Sequence, residues 1–223
     1  MAAALDAQAG DIRMRMDRMY RPQKRIYDFT RRYYLLGRDR LIAELDLREG
    51  QSLLDIGCGT GRNLALIGRR YPATRLYGLD AAEPMLEVAA AKLKRGSVRA
   101  VLAHGIAEGL EPRLMLGHEG GFDHITISYC LSMVNTPDTV LRSAARHLRP
   151  GGALHVVDFG DMSGLPGWTQ KAMRAWLARF HVRHRPEVEA TLRGLAAERG
   201  GRFEQIEILG RYSLLLRLRL RPA

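Results

Sequence analysis

The run Leu53-Leu54-Asp55-Ile56-Gly57-Cys58-Gly59-Thr60-Gly61 constrains the fold of this chain more than any other segment. A short apolar stretch enters three glycines at alternate positions. That is the pattern of a buried strand ending in a tight turn before a helix. About 20 residues further on, Arg75-Leu76-Tyr77-Gly78-Leu79 reads as a second strand ending on Asp80, where a carboxylate can take both hydroxyls of a ribose. The glycines follow GxGxG rather than the GxGxxG that seats a pyrophosphate on a helix N-terminus. An acidic residue, Asp55, stands two places before the first of them. The turn therefore departs from the dinucleotide spacing while still allowing close backbone approach. An ordinary glycine turn in some other α/β domain is the alternative.

The rest of the chain repeats strand and helix in alternation. The patterning predicts strands over 52–56, 75–79, 98–103, 122–128, 153–158, 203–209 and 213–220, with helices over 63–71, 84–95, 136–148, 168–180 and 187–200. Alternation of this kind implies a parallel sheet. The last two strands are separated by Gly210-Arg211-Tyr212, which implies a hairpin and one antiparallel strand. In the last strand Leu214, Leu216, Leu218 and Leu220 share one face, and Arg217, Arg219 and Arg221 fall mostly on the other. Residues 46–223 are therefore expected to form one α/β domain, which a chain of 223 residues can fill with a full core. Residues 11–45 read as a helical cap and residues 1–10 as disordered. In the cap Tyr20, Tyr27 and Tyr34 recur every seven residues, on one helix face, and Gly37 is a candidate break.

The glycine motif resembles the first motif of the class I S-adenosylmethionine-dependent methyltransferases. The resemblance implies a Rossmann-like α/β fold, with a seven-stranded, mostly parallel sheet whose last strand is antiparallel. It also implies S-adenosyl-L-methionine as cofactor, bound beyond the carboxyl ends of the strands. By that resemblance Asp55 with Gly57 and Gly59 lines the methionine part, Asp80 holds the ribose, and Met85 packs near the adenine. Ile106, with Ala107 beside it, occupies the place after the third strand where an acidic residue often binds the adenine amino group, so backbone groups would have to serve there. Ser128 and Tyr129 close the crevice at the end of the fourth strand. That strand end lacks the Asn- or Asp-Pro-Pro-Tyr of many nucleic-acid N-methyltransferases, which counts against base methylation. No Cys/His spacing resembles a zinc site, so no metal is expected.

The net charge of +11 favours polyanions, either nucleic acid or an anionic membrane surface. Arginine-rich composition without function is the plain alternative. Trp168, Met173, Trp176, Leu177 and Phe180 alternate with Lys171, Arg174 and Arg179, a pattern compatible with a helix in a membrane interface or with a lid packed on the domain. No run approaches the 18 apolar residues of a spanning helix, and the first ten residues lack the basic start of a signal peptide. Cys58 and Cys130 are the two cysteines, which fits a reducing compartment rather than a disulfide framework.

The segments Met16-Asp17-Arg18-Met19-Tyr20-Arg21 and Ile26-Tyr27-Asp28-Phe29-Thr30-Arg31-Arg32-Tyr33-Tyr34-Leu35-Leu36-Gly37-Arg38-Asp39, leading into the glycine motif, resemble the bacterial betaine-lipid N-methyltransferases. Tyr129-Cys130-Leu131-Ser132-Met133 fits as well. The resemblance implies three methylations of the diacylglyceryl-homoserine amine, giving diacylglyceryl-trimethylhomoserine, by a cytoplasmic enzyme peripheral on the inner face of the cell membrane. The expected partners are then a lipid amine and an anionic membrane surface, with no specific nucleic acid. Tyr27 and Tyr34 are the candidates for orienting the amine, since tyrosine faces accommodate a growing quaternary ammonium. Arg38 is the candidate for the methionine carboxylate of the cofactor. Phosphatidylethanolamine, a small amine or a quinone precursor are rival acceptors, and a basic RNA-binding module is the rival from another class.

Overall fold

The computed structural model describes residues 35–179, 182 and 184–222. The expected disorder of 1–10, most of the cap with Tyr20, Tyr27 and Tyr34, and Phe180 at the end of the Trp helix lie outside the described residues. The strands are β1 (Ser52–Ile56), β2 (Arg75–Asp80), β3 (Ala100–His104), β4 (Phe122–Ser128), β5 (Leu148–Phe159), β6 (Arg202–Ile208) and β7 (Ser213–Arg219). They form one seven-stranded sheet in the order β3-β2-β1-β4-β5-β7-β6. β1 to β5 pair in parallel, while β7 runs antiparallel to both β5 and β6. The strand order reverses between β1 and β4, the place where open α/β sheets leave a crevice.

The helices are α1 (Arg38–Ala43), α2 (Arg62–Arg70), α3 (Glu83–Arg95), α4 (Pro112–Leu116), α5 (Pro137–Arg146), α6 (Gly167–Ala178) and α7 (Pro186–Glu198). Side-chain alternation along the strands sends successive residues to opposite faces. Leu53 packs with Leu41, Leu64, Ile67, Leu86 and Leu177 from α1, α2, α3 and α6. Its neighbour Leu54 packs with Leu116, Val140, Leu141, Leu192 and Leu195 from α4, α5 and α7. Leu214, Leu216, Leu218 and Leu220 all join the second of these cores, as their spacing implied. Burying each such side chain contributes roughly 1.5–3 kcal/mol.

Three boundaries and the facing of one helix differ from the sequence reading for identifiable reasons. The cap is not one helix to residue 45: the chain turns at Leu36-Gly37, and α1 starts after that glycine. β3 starts at Ala100, because the N–H of Val98 is still bonded to the Leu93 carbonyl at the end of α3. β5 begins five residues early, at Leu148, which pairs with Phe122 before the register shifts at His124. In α6 the apolar residues are divided between the core and solvent. Leu177 is buried, and Met173 and Trp176 are half-buried against the core. Trp168 stays 77% exposed.

Candidate active site

The glycine turn is tied to the end of β2 through main-chain and side-chain bonds. The N–H groups of Gly57 and Cys58 both donate to the Leu79 carbonyl, at 2.8 and 3.1 Å. The Gly59 N–H donates to Asp80 Oδ2 at 2.7 Å, and the Ala82 N–H to Asp80 Oδ1 at 2.9 Å. Asp80 thus caps the turn and the start of α3 together. Each of its oxygens keeps further acceptor capacity. Gly57 and Gly59 both have positive φ, 69° and 53°, but their surroundings differ. A Cβ on Gly57 would lie 2.6 Å from Cys130 Sγ, whereas one on Gly59 would meet nothing within 4 Å. Gly57 is needed so that the strand-end loop carrying Cys130 can close on the turn. Gly59 leaves backbone exposed to whatever enters the cleft.

That cleft encloses about 130 Å³ and opens to solvent at the carboxyl ends of β1, β2 and β4. It brings together Gly57, Gly59, Asp80, Met85, Ile106, Ala107 and Ser128, seven positions expected from the sequence. The Ser128 hydroxyl accepts a bond from Asn63 Nδ2 at 3.0 Å, which ties the end of β4 to α2. The other four expected positions stand elsewhere or outside the described residues. Tyr27 and Tyr34 lie outside the described residues. Arg38 is half-buried at the start of α1 and does not line the cleft, although its charge acts on both Asp55 and Tyr129.

Asp55 is the main correction. It is 1% exposed and lies beneath the turn rather than on the cleft wall. Oδ1 accepts from the Thr126 hydroxyl at 2.6 Å, and Oδ2 has no hydrogen-bond partner. The turn is capped by Asp80 instead. Burial raises the Asp55 pKa to about 7. The charge of Asp80 adds to the rise, while the hydrogen bond from Thr126, the nearby Asn63 amide and the charge of Arg38 oppose it. A carboxyl whose pKa is raised on folding stabilises the protein below its unfolded pKa, and that contribution is lost as pH climbs through the folded value. Stability should therefore fall between about pH 4 and pH 7, by on the order of 4 kcal/mol from this group. Asp55→Asn should flatten that window. Urea titrations of both proteins at pH 4.5 and 8 check it, and equal slopes with pH would remove Asp55 as the cause.

The sequence reading gave little weight to the far wall. Tyr129 has a positive φ of 52°. Its hydroxyl bonds to the Leu36 carbonyl and, at 2.6 Å, to Ser213 Oγ, so the cleft wall is joined to the segment leading into α1. Asp158 at the end of β5 accepts from the Ser132 N–H at 3.1 Å and holds the 3₁₀ turn Leu131–Met133. Cys130 and Met133 face the cleft. Burial pushes the Cys58 and Cys130 thiols up, so neither is an activated nucleophile. Glu108 reaches the cleft from the turn after β3, and its hydroxyl donor is Thr136 Oγ1 at 2.9 Å.

Residues 53–152 match the family model for a methyltransferase domain. The sheet order and the matched segment give the chain the fold of the class I S-adenosylmethionine-dependent methyltransferases. Among curated relatives, a demethylmenaquinone methyltransferase of Listeria welshimeri is 34% identical over 128 residues, 56% of this chain and 51% of its own length. One from Lactococcus lactis is 39% identical over 113 residues, 49% of this chain and 42% of its own length. The chain spans about half the length of these relatives. The YcgJ protein of Bacillus subtilis superposes with a TM-score of 0.64 at 19% identity, covering 84% of this chain and 99% of that one. A phosphoethanolamine N-methyltransferase of Haemonchus contortus, solved with phosphomonomethylethanolamine and S-adenosylhomocysteine, gives 0.69 at 15% identity, covering 93% of this chain and 60% of that one. At such identities these structures show the shared fold.

The cofactor that goes with this fold is S-adenosyl-L-methionine, and the residues lining the cleft fit it. Gly59 presents bare backbone, Asp80 has acceptor capacity for a ribose, and Leu79, Met85 and Ile106 supply an apolar wall for an adenine.

Proposed function

We propose that this chain is an S-adenosyl-L-methionine-dependent N-methyltransferase whose acceptor is the amine of diacylglyceryl-homoserine, with diacylglyceryl-trimethylhomoserine as product. The observation that carries the amine reading is the charge of the cleft. The charged residues lining it are Asp80 and Glu108, with no Lys or Arg among the described lining residues, although the whole chain carries +11. A cleft of negative sign in a basic protein suits an acceptor that grows into a fixed cation. The N-terminal tyrosine segments, through their resemblance to betaine-lipid N-methyltransferases, narrow the amine to this head group. A quinone precursor is the second reading, favoured by the names of the curated relatives.

When bound, the cofactor supplies an electrophilic methyl group. Gly57 and Gly59 would seat its methionine part and Asp80 its ribose. No lining residue is placed as a strong base, so rate enhancement rests on alignment, which supplies roughly 7–11 kcal/mol in well-oriented systems. The acceptor amine must be unprotonated when it attacks, so a head group bound as its ammonium form first gives up a proton to solvent.

For lipid access we propose that an anionic membrane surface meets the rim of the cleft. Trp168 and Leu209 are 77% and 62% exposed, and the loops next to them touch where the Gly164 N–H bonds to the Gly210 carbonyl at 3.2 Å. Leu209 follows the carboxyl end of β6, at the same end of the sheet as the cleft. The localisation proposed is therefore the inner face of the cell membrane, with no specific nucleic-acid partner. The test is incubation of purified full-length protein with methyl-labelled cofactor and lipid extracts. Mono-, di- and trimethylated homoserine lipid are the expected products. Label confined to a quinone, or no transfer to any lipid amine, would overturn the reading.

A further inference from the structure

We infer that Glu108 is the counter-ion that selects a cationic amine head group, and so is a specificity-determining residue of this cleft. The inference rests on the amine reading above. Of the two acidic residues in the cleft, Asp80 caps the glycine turn and the start of α3 and is assigned to the ribose. Glu108 is held differently. Thr136 Oγ1 donates to its Oε1 at 2.9 Å, Oε2 has no hydrogen-bond partner among the described residues, and none of the ion pairs among them includes Glu108. The half-buried side chain is thus fixed at one oxygen with the other available to a ligand. Its charge reaches the opposite wall, where it adds to the rise in the Cys130 pKa. Thr136 belongs to the loop that follows Met133, Val134 and Asn135 on that wall, so the bond to Glu108 spans the cleft mouth from the β3 side to the β4 side. A carboxylate in this position, in a protein of net charge +11, has a ligand cation as its natural partner.

The competing role for Glu108 is the adenine amino group, because Ile106 leaves that task without an acid. Calorimetry on the full chain separates the two, using S-adenosylhomocysteine alone and then the soluble head group trimethylhomoserine added to the loaded protein. Glu108→Gln should weaken the head group about 10-fold or more, the loss expected when one charge-assisted contact becomes neutral, and leave S-adenosylhomocysteine affinity within about two-fold. Thr136→Val should move head-group affinity in the same direction by less, since it removes the positioning bond and not the charge. Loss of S-adenosylhomocysteine affinity in Glu108→Gln would assign the residue to the adenine instead and overturn the inference. Unchanged head-group affinity in the variant, with lipid-amine methylation intact in the parent, would overturn it while leaving the amine reading standing. A parent protein that neither binds the head group nor methylates any amine would overturn both.

Discussion

Asp80→Ala is expected to weaken S-adenosylhomocysteine binding on the order of 10–100-fold and to destabilise the empty protein as well. The reason is double occupancy of one carboxylate. Removing it takes away the acceptor for a ribose and also unpairs the Gly59 and Ala82 N–H groups. An orphaned buried donor costs about 1–3 kcal/mol, with less where water reaches the half-buried site. Asp80→Asn separates the contributions. Its one remaining oxygen can cap only one of the two amides, so its stability should lie between parent and Ala, while ribose recognition is already impaired. Calorimetry together with urea unfolding checks both halves. A folded Ala variant with parental affinity would exclude Asp80 from ligand binding. Parental stability would instead show that the turn does not depend on this cap.

The second large effect is a contrast between neighbouring glycines. Gly57→Ala should be strongly destabilising, by about 2–4 kcal/mol, because it adds left-handed backbone strain and drives a methyl group into Cys130. The added Cβ would sit 2.6 Å from Cys130 Sγ and 2.8 Å from its Cβ, and the loop beyond is held by the bonds of Tyr129 and Asp158. Gly59→Ala should cost about 1 kcal/mol of stability from its positive φ, since the new methyl meets no protein atom within 4 Å. Its effect should fall on binding, because the methyl occupies the open backbone face of the cleft. Thermal unfolding and S-adenosylhomocysteine titration of both variants give the test. Pairing Gly57→Ala with Cys130→Gly removes both clashing atoms and should recover part of the lost stability. If Gly59→Ala binds as the parent does, the ligand does not approach that face.

The architecture was legible because its signals are local and periodic. Most strands of the sheet contain a short apolar run, and the alternation of leucines in β7 marks which face is buried before any partner is known. The GxGxG turn and the acid at the end of β2 are likewise short-range patterns, and they led directly to Gly57, Gly59 and Asp80 in the cleft. The fate of the two aspartates was not local. Which one caps the turn depends on how the end of β1 meets the end of β2, and that juxtaposition gives the cap to Asp80 and buries Asp55 against Thr126 of β4. The same limit applies to Trp176, which helical spacing alone cannot assign to lipid or core, and which packing on the α1, α2 and α3 side of the sheet decides. Glu108 lies in sequence inside an unremarkable turn. Only the approach of Thr136 from the start of α5 makes it a fixed charge at the cleft. Sequence by itself determined the elements, their order and the glycine turn, because these follow from hydrophobic periodicity and backbone sterics. Tertiary structure decided which polar atoms meet, because burial and hydrogen-bond partners are set by segments far apart in the chain.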